Sequence, residues 1–152
     1  MKTLISGVML MLCIGIATTT YSQGTTGAKP KLFSNYPGKI ICSEQELSKV
    51  FAAGVNHTID LNFSDNFLFS GTVTSNVVKY ANLQTATIKS PFFADAVFAI
   101  SKITNADKST SYIGRIINTK YFDGYELKKD AADNYQLIKI ETDQVIQVCS
   151  QN

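Results

Sequence analysis

The sequence predicts an α+β domain: one N-terminal helix followed by a curled antiparallel β-meander of about seven strands, with a small β-barrel carrying one helix as the alternative. Three observations carry this. A single helix signal occurs early, at Ser43–Gly54. Past it the hydrophobic period changes from 3.6 to 2 and stays there. The two-residue pattern is broken at short intervals by polar clusters suited to hairpin turns.

Before the helix, Met1-Lys2 and the apolar run from Leu4 to Ala17 precede a polar Thr18–Ser22, the layout of a secretory signal peptide cleaved before Gln23. The run is shorter than the roughly 20 apolar residues of a spanning helix, so no transmembrane anchor is expected after cleavage. Residues 1–22 are therefore read as signal, 23–39 as a flexible leader rich in Gly, Thr, Lys and Pro, and 40–152 as a single α+β domain. The expected destination is secreted or periplasmic.

Ile40 and Ile41 form a short edge strand. Ser43 with Glu46 three residues on makes a capping box, in which hydroxyl and carboxylate satisfy first-turn amides. Leu47, Val50 and Phe51 give one apolar stripe, and Gly54 is a C-terminal stop. Val55, His57, Ile59, Leu61 and Phe63 then share one face of a half-buried strand. After the turn at Ser64–Asn66, Phe67, Phe69, Gly71 and Val73 line a second, where Gly71 marks a bulge or a close contact. Val77–Tyr80 is ambiguous between bend and strand. Leu83–Lys89 is Thr-rich and strand-like, and Pro91 ends it.

Ala94–Ile103 and Tyr112–Ile117, joined across Asn105–Thr110, are apolar on both alternating sets. Strands of that kind are expected in the centre of a sheet, covered on both faces. Asp123-Gly124 supplies a turn, Tyr125–Lys129 pairs with Tyr135–Glu141, and Gln144–Cys149 closes the sheet. In outline, a helix followed by such a meander resembles cystatin-like folds. Gln144–Val148 lacks the glycine of the cystatin inhibitory loop, so that activity is not carried over.

Composition excludes several function classes. The formal charge of +2 falls to +1 without Lys2, leaving no electrostatic field for nucleic acid. Two cysteines and one histidine at distant positions match no metal spacing, and no cofactor motif occurs. With Cys13 in the signal, Cys42 and Cys149 are the expected disulfide of an exported domain. His57 and Asp60 fall on opposite faces of a strand, and no nucleophile elbow accompanies them. Asn105–Ser111 imitates the start of a calcium loop but lacks its glycine and terminal acid.

The expected function is an exported, non-enzymatic binding module for a protein, peptide, glycan or small ligand. Tyr121, Phe122, Tyr125 and Tyr135, around the last hairpin, are its candidate contacts, since tyrosine gives large contact area at low entropic cost. Two alternatives stand beside it: an envelope assembly protein pairing through sheet edges, and a small hydrolase using His57.

Overall fold

The computed structural model describes residues 29–142. Their eight strands form one antiparallel sheet curled nearly into a barrel: β1 (Lys39–Cys42), β2 (Thr58–Ser64), β3 (Phe67–Tyr80), β4 (Leu83–Ser90), β5 (Ala96–Thr104), β6 (Thr110–Ile117), β7 (Asp123–Lys129) and β8 (Tyr135–Glu141). The spatial order is β1-β8-β7-β6-β5-β4-β3-β2, so β2 to β8 are a pure meander and β1 adds to β8. One strand precedes the helix and seven follow it, one more than the expected total. The predicted strand Gln144–Cys149, Cys149 itself and the signal segment lie outside the described residues. Cys42 points inward and is 3% exposed, and burial pushes its thiol up to about 12.

Curling the sheet brings β1 and β2 together without pairing them, and α1 (Glu44–Ala52) lies at that seam. Ser43 caps the helix as predicted, accepting from the Glu46 amide at 3.2 Å. The Glu46 carboxylate does not return to Ser43. It accepts from the Asn62 amide of β2 at 3.0 Å and from Lys49, so it satisfies a donor on the sheet's open edge. The helix ends where expected, with Ala53 as C-cap and Gly54 just past it, but Gly54 does not take the left-handed backbone of a glycine stop. Instead the Asn76 carboxamide donates to the carbonyls of Phe51 (3.1 Å) and Ala53 (2.9 Å). A side chain from β3 thus does what a left-handed glycine does elsewhere.

The barrel interior is packed with the chain's own side chains. Phe67, Phe69, Phe98, Ile88, Ile116, Tyr125 and Leu137 are fully buried, and Phe69 meets Phe98 at 5.9 Å between ring centres. At the end opposite the helix, residues 29–38 cross the opening and insert Phe33. Its ring lies 5.2 Å from Tyr125 and 5.4 Å from Phe93, both in tilted or edge-on contact. Asp123, itself 3% exposed, accepts from the amides of Leu32 (2.6 Å) and Phe33 (3.1 Å). Lys139 donates to the carbonyls of Phe33 and Tyr36, each at 2.7 Å. Asp123 and Gly124, predicted as a turn, begin β7 instead. Gly71 is a close-approach site, because a Cβ there would lie 2.6 Å from the Lys89 carbonyl oxygen on β4.

Candidate functional site

With the interior filled, the room for a ligand is on the outside. The outer face of β4 to β7 forms an open groove of about 910 Å³. Strand register sets its lining. Thr87 pairs with Ala99, Ala99 with Arg115, and Arg115 with Glu126, so these four form one row straight across the groove. Toward the helix end the next row is Thr85, Ser101 and Ile113; toward the other end it is Lys89, Val97 and Ile117. The hollow follows from size: Ala99, Ser101 and two threonines on β4 and β5 face Ile113, Arg115 and Ile117 on β6. No described residue covers this face, and Ile113 is 55% exposed.

The far end of the groove is bounded by Asp95, Asn118 and Thr119. Ala94 and Asp95 both hold left-handed backbone (φ 49° and 67°), a conformation costing on the order of 1–2 kcal/mol for each non-glycine residue. The Asn118 carboxamide holds that turn by donating to the Ala94 carbonyl at 2.6 Å. Phe92, beside it, is 76% exposed.

Electrostatics concentrate at one wall. Arg115 donates through Nε (3.1 Å) and Nη2 (2.8 Å) to Oε1 of Glu126, and Lys128 reaches the other oxygen at 2.5 Å. The bond from Lys128, then those from Arg115, hold the Glu126 carboxyl below its ordinary range. Nη1 of Arg115 makes no bond to any described residue. Lys89 pairs with Asp95 across 3.4 Å at the other end.

The tyrosines singled out in the sequence lie elsewhere and do not form one surface. Tyr125 is fully buried and donates its hydroxyl to the Pro37 carbonyl at 2.6 Å. Tyr135 is 3% exposed, and its oxygen accepts from the Tyr112 amide at 2.9 Å, where β6 diverges from β7. Both face inward because they share the parity of Leu127 and Leu137. Tyr121 and Phe122 are half-buried in the β6–β7 connection. Phe122 donates its amide to Pro30, so it serves the crossing segment.

His57 is exposed in the α1–β2 connection, and its ring makes no hydrogen bond among the described residues. Asp107, in the imitation calcium loop, accepts from the Ser109 amide and hydroxyl, which closes a turn. Among the described residues no group of three or more His, Cys, Asp or Glu side chains comes together for a metal.

The groove's central residue escaped the sequence reading. Arg115 is the only arginine in the chain, and it interrupts an otherwise apolar Tyr112-Ile-Gly-Arg-Ile-Ile117. That was the available signal. No protein-family model matches the chain, and no curated protein or solved structure matches it.

Proposed function

We propose that this is an exported, non-enzymatic binding module that holds its ligand on the outer face of β4 to β7. The observation carrying the reading is the open, largely apolar groove of about 910 Å³ on strands whose inner face is already packed. Ligand sites have this size and this mixture: an apolar floor with a few placed polar groups. The filled interior argues against carriage inside the barrel. The orphaned polar work of the fold, at Asp123, Asn76 and Lys139, is spent on the chain's own backbone.

The test is a fragment screen on isotope-labelled protein, read by backbone amide shifts. Binders are expected to shift Ala99, Ser101, Ile113 and Arg115. Ala99→Trp places a large ring in the hollow from the solvent side, so it should abolish those shifts and leave the unfolding midpoint within a few degrees. Binders that map to another surface, or that bind the Trp variant unchanged, would remove the groove as the site.

A further inference from the structure

Resting on that reading, we propose that the groove's ligand is a small amphipathic carboxylate taken free from solution. Its apolar body lies on Val97, Ala99, Ile113 and Ile117, and its carboxylate meets Arg115. The charge count supports an anion. Two cations, Arg115 and Lys128, and two carboxylates, Glu126 and Asp95, line the groove, but Asp95 at the far end is paired with Lys89 just outside the lining. Both cations of the β6–β7 wall share the single Glu126, so one positive charge is unmatched on that side.

The identity of the cation narrows the anion. Thirteen of the chain's fourteen basic residues are lysines, and the one guanidinium stands at the centre of the groove. A guanidinium presents a planar fork matched to a carboxylate, whereas an ammonium is a point charge. Glu126 occupies the edge formed by Nε and Nη2, and Nη1 keeps donors without a partner among the described residues. Ile113 and Ile117 flank Arg115 on its own strand, two residues away on either side, so an anion there is met by apolar surface for the rest of the molecule. Once the hydrocarbon body covers these isoleucines, less water reaches the bond, and a charge-assisted bond is stronger for it. The single surplus charge suits a monoanion with a compact hydrocarbon body.

The experiment titrates labelled protein with octanoate and, separately, with octan-1-ol, reading amide shifts. Octanoate is expected to give saturable shifts at Ala99, Ile113 and Arg115 and to bind about tenfold more tightly than octanol. Arg115→Gln should bring octanoate down to the affinity of octanol and leave octanol unchanged. Arg115→Lys should recover only part of the difference. An unfolding curve for each variant separates lost binding from lost fold, since Arg115 is half exposed. Equal affinities for the two probes at the groove would overturn the carboxylate and leave the groove standing. Shifts elsewhere, or none with either probe, would overturn the proposal outright, and the fragment screen would then decide the groove by itself.

Discussion

Two rows of residues, one position apart on the same four strands, do opposite things. Ile88, Phe98, Ile116 and Tyr125 pair in register across the inside of β4 to β7, and all four are fully buried. Their immediate neighbours Thr87, Ala99, Arg115 and Glu126 pair in the same way across the outside and form the groove. Stability belongs to the first row, and the recognition proposed above would belong to the second. Because side chains alternate strictly along a strand, a slip of one residue would exchange the two sets, so the packed row also fixes where the groove is.

The largest expected effect comes from breaking the inner row. Phe98 touches Phe63 and Phe69 at 5.9 Å between ring centres and is fully buried, so Phe98→Ala should cost about 3–5 kcal/mol. Ile113→Ala, on the outer face, should cost below about 1 kcal/mol while weakening any groove ligand. Urea unfolding of both variants measures the contrast. Equal costs would mean that Ile113 is covered in solution, and the division between the faces would fail.

The fold was largely legible because its signals are local. The change of period after Gly54 marks the meander, and the polar breaks at 64–66 and 105–110 mark turns that the structure contains, with Thr110 already the first residue of β6. The helix was legible from Ser43 to Gly54, whereas the group that satisfies its last carbonyls was not, because Asn76 lies more than twenty residues away. Asp123-Gly124 looked like a turn on residue type alone. Its carboxylate instead serves the backbone of Leu32 and Phe33, a long-range partnership invisible in a local window.

The apolar residues on both faces of β5 and β6 correctly placed them inside the sheet. The inference that both faces are covered did not survive, since the outer set is the groove floor. Two of the four aromatic candidates turn inward for the complementary reason. Tyrosine is counted as a recognition residue by type, but parity put Tyr125 and Tyr135 inside, where each hydroxyl bonds backbone.

A smaller effect is expected where the inner row meets the barrel's plugged end. Asp123→Ala leaves the amides of Leu32 and Phe33 without their acceptor in a buried place, and the loss should be about 2–3 kcal/mol. Phe33 packs on Tyr125, so the damage should reach the inner row and spare the outer one. Hydrogen exchange would show this directly. Amides of residues 32–36 and Tyr125 should lose protection, while those of Thr87 and Ala99 change little beyond the global shift. Uniform loss along both rows would show that plug and sheet open together as one unit.

The smallest effect separates the rows by pH. Glu126, on the outer row, is held below its ordinary value of about 4.5 first by its bond from Lys128 and then by Arg115. A carboxylate with a lowered folded value stabilises the fold fully above the ordinary value. That contribution drains away as pH falls from about 4.5 through the lowered value, because the unfolded chain then binds its proton first. Glu126→Gln should therefore cost below about 1 kcal/mol at pH 7, as expected for a surface pair, and the gap to the wild type should close toward pH 3. Urea midpoints of the two proteins at pH 7, 5 and 3 measure it. The Phe98→Ala deficit, which contains no titrating group, should stay constant over the same range. A Glu126→Gln deficit that also stayed constant would mean that the side chain contributes by packing, and the outer row would then share the work of the inner one.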